Sequence, residues 1–318
     1  MSMDQRRLFG RLFAFCNVIL LLAGGAVFAK PQTISLPPHE EKLPAPLLHR
    51  PDARTASADS LTIMCLEYFA LGNLHIAEEA CSEALTLDPK RADALKLRGY
   101  AYLMERRYEE AGSDFRAGLR IHPADDQLFG GLGQNFSNMG DYKAAADQFH
   151  KALALAPKKA AYWNGLCWAQ GASGDLDKAL EACDRAIRLE PDAAAPYNSR
   201  GLVKLRMRHF LDAVADYTHS LELNPQQPAA QFGRGLARMW AANKGGASDI
   251  LAARQMDPGI DGLFVEIGLL PDRCEDGGKI SCPPGFPRRV LPKGQNYPIA
   301  RLPDPNTREL LRMAGLRL

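Results

Sequence analysis

Small and apolar residues recur along most of the chain at one fixed spacing. Prolines that follow an aliphatic residue by two positions lie 34 residues apart at Pro89, Pro123, Pro157, Pro191 and Pro225, and Pro258 follows after 33. When this proline is position 32, position 20 is Ala in five units and Gly in the sixth, and position 8 is Gly or Cys. Apolar residues three or four positions apart within each unit predict helices, and the proline ends the second helix.

This pattern resembles the tetratricopeptide-repeat family over residues 58–258, because 34 residues is the length of that repeat. The resemblance implies an all-α fold, a right-handed α-solenoid of six helix-turn-helix units; with the N-terminal segment described below, the chain resembles an exported bacterial protein of this family. It also implies small residues at positions 8 and 20 for close helix approach and large apolar residues at positions 4, 7, 11 and 24. Residues 259–271 begin a seventh unit and are expected to form a capping helix.

An apolar stretch at residues 12–28 follows a basic start with Arg6, Arg7 and Arg11. A basic start, an apolar middle and small exit residues are the parts of a signal peptide, so we predict one at residues 1–29 with cleavage before Lys30. The protein would then be periplasmic or secreted, by the general or the twin-arginine route. The alternative is an uncleaved inner-membrane anchor with the chain facing the periplasm. The 17-residue apolar run is short for a membrane span. Membrane contact is expected only if the segment is not cleaved.

Proline-rich segments flank the repeats. Residues 30–57 contain six prolines and no apolar period, which is typical of a linker. Residues 272–318 are proline-rich and carry more basic than acidic side chains. This tail could fold back into the solenoid, bind a partner or touch an anionic surface, and its role stays open.

Six of the seven cysteines lie outside the predicted signal peptide. In units one and four, cysteines occupy both position 8 and position 24, which face each other in an antiparallel helix pair; where position 8 is Gly, position 24 is large. An exported protein can keep such pairs oxidised. The predicted disulfides are Cys65–Cys81, Cys167–Cys183 and Cys274–Cys282. Six buried thiols are the alternative, and no spacing typical of a zinc site occurs, so we expect no metal.

A ligand-binding groove follows from the family resemblance, which implies that positions 2, 5, 9, 12 and 13 of each first helix face the concave side. Asn and Gln can bond a peptide backbone in both directions, and Trp and Tyr supply contact area. Asn at position 5 is also common in this family whatever it binds. The chaperone-type carboxylate clamp is absent, since one residue alone is basic at position 5. The predicted groove residues are Lys96, Tyr100, Gln134, Asn138, Asn164, Trp168, Asn198 and Arg206.

Three glycines fall within four residues of one predicted helix, Gly130, Gly131 and Gly133. Gly133 is the family glycine at position 8, whereas the other two should each weaken the helix by about 1 kcal/mol. The sequence leaves two interpretations open. Either a ligand approaches closely or the helix is flexible here, or the glycines have drifted in a helix that its neighbours hold.

The remaining observations exclude most classes of function. A formal net charge of +2 gives no basic field for nucleic acid. No motif for catalysis, phosphate binding or a dinucleotide is present, so we expect no cofactor, no small-molecule substrate and no enzyme activity. The sequence favours a scaffold that binds a protein or peptide partner of unknown identity. A self-associating assembly factor at the inner membrane is the alternative, and an enzyme with its site in the tail is a third hypothesis.

Overall fold

The computed structural model describes residues 56–270, and within that range the chain forms thirteen helices and no strands. The segments 1–29 and 30–55 and the tail, including the predicted Cys274–Cys282 pair, lie outside the described residues. The helices are α1 (Ala58–Ala70), α2 (Leu74–Leu87), α3 (Ala92–Met104), α4 (Tyr108–Ile121), α5 (Asp126–Asn138), α6 (Tyr142–Leu155), α7 (Ala160–Ser173), α8 (Leu176–Leu189), α9 (Ala194–Arg206), α10 (Phe210–Leu223), α11 (Pro228–Trp240), α12 (Gly246–Met256) and α13 (Ile260–Glu266).

The helices pack as consecutive pairs from α1/α2 to α11/α12, and each pair packs on the next. The expected all-α solenoid is therefore confirmed. First helices of adjacent units also contact each other, whereas second helices of adjacent units touch at most marginally within the described range. The stack therefore bends with the first helices on the inside, and these line the concave groove.

A left-handed residue sits in the turn between the two helices of every unit, at position 15. It is glycine in units one, three and four, where Gly174 has φ of 100°. Units two, five and six use Arg106, Arg208 and Ala242 at φ of 63°, 65° and 55°. Glycine adopts this region at little steric cost, whereas arginine and alanine seldom adopt it. Because Arg106, Arg208 and Ala242 adopt it all the same, the turn geometry is set by the repeat and not by the local residue.

Both predicted helical cysteine pairs lie at disulfide-bonding distance. The Cα atoms of Cys65 and Cys81 are 5.3 Å apart, and those of Cys167 and Cys183 are 5.1 Å apart. All four side chains are fully buried. Each pair joins the two helices of one unit, as the facing of positions 8 and 24 predicts.

Where position 24 is aromatic, two glycines make room for its ring. A Cβ atom added to Gly99, at position 8 of the same unit, would lie 2.8 Å from Phe115 Cε1, and one added to Gly131, at position 6 of the next unit, would lie 2.7 Å from it. Phe149 and Tyr217 meet the same two kinds of glycine, which are Gly133 and Gly165 for Phe149, and Gly201 and Gly233 for Tyr217.

These distances explain the cluster of glycines in α5, and neither sequence interpretation was right. Gly131 is needed by Phe115, and a Cβ at Gly130 would lie 2.5 Å from Tyr162 Cε1. Both glycines are buried. They are therefore packing positions rather than sites of ligand approach or of drift.

The expectation of a large apolar residue at position 7 was wrong for units two, five and six, where arginine binds an aspartate at position 23 of the same unit. Arg98 donates to Asp114 at 2.7 and 2.9 Å, and Arg200 donates to Asp216 at 2.9 and 2.6 Å. Arg234 and Asp249 repeat the arrangement in unit six. A planar guanidinium can make two parallel bonds to a carboxylate, so this pair ties the two helices of a unit much as a cystine does.

Candidate functional site

A cavity of about 530 Å³ lies at the N-terminal end of the concave groove, between α1 and α3. Its lining is mainly apolar, and Ile63 is 57% exposed there although it is a large aliphatic side chain. The apolar lining residues are Ile63, Leu66, Phe69, Leu97, Leu103 and Met104, together with the ring of Tyr100. Two predicted groove residues, Lys96 and Tyr100, therefore line this cavity.

Ion pairs neutralise the rim of the cavity. Arg91 pairs with Asp59, and Lys96 lies between Asp125 at 3.1 Å and Asp93 at 3.8 Å. One donor is left over, because the buried Nε of Arg91 has no hydrogen-bond partner among the described residues. The cavity thus combines an apolar floor with an edge of ion pairs.

Tyr100 is held in place by its neighbours. Its hydroxyl donates to the carbonyl oxygen of Gln127 at 2.9 Å, and its ring meets Phe115 edge-on at 5.1 Å between centroids. Burial, and then the carboxylates of Asp125 and Asp126, raise the pKa of Tyr100. The phenol therefore stays protonated and offers a fixed aromatic surface to the cavity.

The middle of the groove is polar. Gln134 donates to Asn138 at 2.9 Å, which joins two predicted groove residues along α5. Two further atoms at groove positions are buried without a partner in the described chain, Oγ of Ser137 and Oδ1 of Asn164. Buried polar groups are nearly always hydrogen-bonded, so these two atoms point to a ligand or water that would complete them.

Toward the C-terminal end, two predicted groove residues make their contacts within the solenoid. Trp168 is 8% exposed and belongs to the largest buried cluster. Arg206 donates to the carbonyl oxygens of Gly171 and Ala172 at 2.9 and 2.7 Å, and burial lowers its pKa. Asn198 is half-buried. This half therefore presents less free surface than the N-terminal half.

The predicted groove residues did not include the apolar side of the cavity, although the residues at position 6 indicate it. That position holds Ile63 in unit one and Leu97 in unit two, whereas the later units carry Gly or Ser there. Leu97 packs in one cluster with the cystine of unit one. Since Cys81 leaves the space that an aromatic ring fills in other units, position 6 of the next unit can be large.

Within the described range there is no group of three or more side chains suited to hold a metal ion. No helix between residues 56 and 270 is both long and apolar enough to cross a membrane.

Family models described as tetratricopeptide repeat match residues 66–126 and 131–197, and another match covers residues 169–238. Together the matches cover more than half of the 318 residues. The chain belongs to the tetratricopeptide-repeat family. The repeats support a protein–protein interaction scaffold.

One curated protein matches this tetratricopeptide-repeat protein over a short stretch. A stretch of 56 residues is 43% identical to DnaJ homolog subfamily C member 3 of Rattus norvegicus, covering 18% of this chain and 11% of that protein. Many solved structures share the fold, including the three that follow. The Cut9 and Hcn1 hetero-tetramer of APC/C matches with a TM-score of 0.59 and 16% identity over 67% of this chain and 43% of that one.

The other two structures are close in length to the repeat region. PilW, a type IV pilus biogenesis factor, matches with a TM-score of 0.57 and 17% identity, over 65% of this chain and 98% of that one. PilF of Pseudomonas aeruginosa matches with a TM-score of 0.54 and 18% identity, over 66% and 97%. At these identities the likeness concerns the fold alone.

Proposed function

We propose that this protein is a non-catalytic scaffold that binds an extended segment of a partner protein in its concave groove. The observation that carries the proposal is the apolar cavity of about 530 Å³ between α1 and α3. An exposed apolar surface in a concave site is typical of a place where another molecule binds. The partner inserts an aliphatic or aromatic side chain there, and this side chain is the anchor of the complex.

The polar middle of the groove suits the backbone of the same segment. Oδ1 of Asn164 can accept a backbone N–H, and Oγ of Ser137 can donate to or accept from the peptide; both atoms lack partners in the described chain. Apolar burial supplies most of the affinity, and the hydrogen bonds fix the direction of the segment.

The protein acts outside the cytoplasm in this proposal. The basic start and apolar run of residues 1–29 support export, and so do two cysteine pairs at bonding distance, since disulfides persist in oxidising compartments. N-terminal sequencing of protein recovered from the envelope should find a mature chain that begins near Lys30. An intact Met1 on membrane-bound protein would support the anchor instead.

Site-specific photo-crosslinking tests the groove. A benzoylphenylalanine at Ile63 should capture a partner in cells, whereas the same group at Leu251, a similarly exposed aliphatic position on α12, should not. Introducing Leu66→Asp should reduce the yield from Ile63 at least about tenfold, which corresponds to 1.4 kcal/mol. The matched control Leu211→Asp changes an exposed leucine on α10 and should leave the yield unchanged.

Three outcomes would contradict the proposal. Equal capture from Leu251 would place binding on another face. Adducts with a second copy of this chain alone would favour the self-associating assembly factor. Capture from Ile63 that survives Leu66→Asp would show that the cavity is not the anchor site.

A further inference from the structure

The last helix, α13, does not continue the regular stacking. It packs far less extensively on α12 than each earlier first helix packs on the helix before it. Two contacts fix its start. Arg254 of α12 donates to Asp261 at 2.8 and 2.6 Å, and Phe264 packs on Phe232 of α11 at 4.6 Å between ring centroids. The helix is therefore anchored on unit six.

The other end of α13 reaches back to unit three. The hydroxyl of Tyr142, at the start of α6, donates to Oε1 of Glu266 at 3.2 Å, across 124 residues of chain. The same carboxylate oxygen would lie 3.4 Å from a Cβ atom on Gly140, in the turn before α6. Tyr142, Leu263 and Leu269 also pack against the buried cluster that contains Trp168.

In a solenoid each repeat contacts only its neighbours, so curvature is set by many small nearest-neighbour angles and is easily changed. A contact between unit three and α13 is different because it joins parts of the stack that are not neighbours. Such a contact restrains the curvature of every unit in between. It therefore restrains the width of the concave groove along the stretch where Trp168 and Arg206 lie.

We propose that α13 is a clasp that closes the C-terminal half of the concave groove through the contact of Glu266 with Tyr142, and that it leaves the N-terminal cavity as the entry site for a partner. This inference concerns the regulation of the groove and rests on the proposed function for its biological meaning. The clasp can open readily, because the hydrogen bond is exposed and a single hydrogen bond makes only a small net contribution to stability. A segment that fills the groove beyond the cavity displaces it.

Hydrogen exchange of the free full-length protein, followed by mass spectrometry, tests the clasp without a partner. The reporters are amides just after α13, where Leu269 and Leu270 both donate to the carbonyl oxygen of Phe264. Tyr142→Phe removes the donor and should speed exchange of these amides by roughly two- to tenfold, the range for one net hydrogen bond. Glu266→Ala should have the same effect.

Matched variants separate a clasp from a general loss of stability. Glu266→Gln keeps an oxygen acceptor for Tyr142 and should not speed exchange. Tyr197→Phe removes another exposed tyrosine bond, from Tyr197 to the carbonyl oxygen of Pro191 at 3.1 Å, and should leave residues 263–270 unchanged. The double variant Tyr142→Phe with Glu266→Ala should exchange no faster than either single variant, because both remove the same contact.

Unchanged exchange in Tyr142→Phe would overturn the proposal, and so would additive effects in the double variant. Exchange that rises equally in Tyr197→Phe would show a non-specific effect and would also overturn it. The result is independent of photo-crosslinking at Ile63, since no partner takes part. Photo-crosslinking therefore tests whether the groove binds a partner, and hydrogen exchange separately tests whether α13 closes it.

Discussion

At the scale of single residues, position 24 decides what its neighbours can be. An aromatic ring there is matched by glycine at position 8 of the same unit and at position 6 of the next, as Phe115 is by Gly99 and Gly131. A half-cystine there is matched by cysteine at position 8 and by a larger residue at position 6. One side chain thus sets the volume available in two units.

Gly131→Ala tests this dependence because two effects oppose each other. Helix propensity predicts a gain of about 1 kcal/mol. The added Cβ would lie 2.7 Å from the ring of Phe115, which is fully buried and cannot move aside, and overpacking costs about 1–3 kcal/mol. We expect a net loss of up to about 2 kcal/mol in the free energy of unfolding, measured by urea denaturation.

Gly112→Ala is the control for Gly131→Ala. Its Cβ would meet side-chain ends, Nδ2 of Asn135 at 3.0 Å and a guanidinium nitrogen of Arg116 at 3.1 Å, and the arginine can move. The loss should therefore be smaller than at Gly131. A more stable Gly131→Ala protein would mean that propensity outweighs packing here.

At the scale of helix pairs, two different devices join the two helices of a unit. Units one and four use the cystine between positions 8 and 24, and units two, five and six use the arginine and aspartate at positions 7 and 23. Unit three has Leu132 and Gln148 at positions 7 and 23. The two devices never occur in the same unit, and each lies at the same level of its helix pair.

Asp114→Ala should destabilise unit two, because it leaves the guanidinium of Arg98 largely buried without its main partner. The Arg98 side chain is 20% exposed and that of Asp114 is 8% exposed. Removing one member of such a pair costs about 2 kcal/mol. Urea denaturation monitored by far-ultraviolet circular dichroism gives the change.

The double variant Arg98→Met with Asp114→Ala copies the residues of unit one, Met64 and Ala80, at the same two positions. Replacing both partners by apolar groups is often close to neutral, so this variant should recover most of the loss. If the double variant were as unstable as Asp114→Ala alone, the ion pair of Arg98 and Asp114 would itself stabilise the fold. The loss in the single variant would then not come only from leaving Arg98 without its partner.

At the scale of the whole molecule, the two ends of the solenoid differ. The N-terminal end carries the open cavity on α1 and α3 and is tied by the first cystine. The C-terminal end is covered by α13, which also contacts unit three. A terminal repeat lacks one neighbour and frays most easily, so the first cystine protects the helix pair that carries half of the cavity.

Removing each cystine separately tests this asymmetry. Each closes a loop of about 16 residues, worth about 3 kcal/mol in the chain-entropy model. Cys65→Ala with Cys81→Ala should raise hydrogen exchange mainly in α1 and α2 and should abolish crosslinking from Ile63. Cys167→Ala with Cys183→Ala should lower the stability of the central units, which have neighbours on both sides, and leave α1 ordered.

Free thiols at Cys65 and Cys81 in purified exported protein would contradict this account, and mass spectrometry of peptides under non-reducing conditions detects them. If hydrogen exchange in α1 were the same in both cystine variants, the first cystine would not be what limits fraying at the N-terminal end of the solenoid.

The sequence by itself determined the fold, the number of units and the pairing of four cysteines. These follow from periodicity, because a 34-residue repeat places equivalent positions in equivalent surroundings, and facing positions in an antiparallel pair can be counted. The same counting could have found Arg98 and Asp114, since they are separated by 16 residues just as Cys65 and Cys81 are. They were missed because the family resemblance implied a large apolar residue at position 7.

Only the tertiary structure decided which part of the groove is open. Lys96, Tyr100 and Trp168 all occupy groove positions, yet the first two line a cavity and Trp168 is buried. Trp168 lies in a buried cluster against which Tyr142 and residues of the α13 region pack, and the curvature of the stack brings Glu266 to Tyr142 across 124 residues. Curvature is the sum of small angles between successive units, and the sequence of a single repeat does not determine that sum. A repeat pattern therefore predicts what each position faces locally, but not which distant parts of the stack meet.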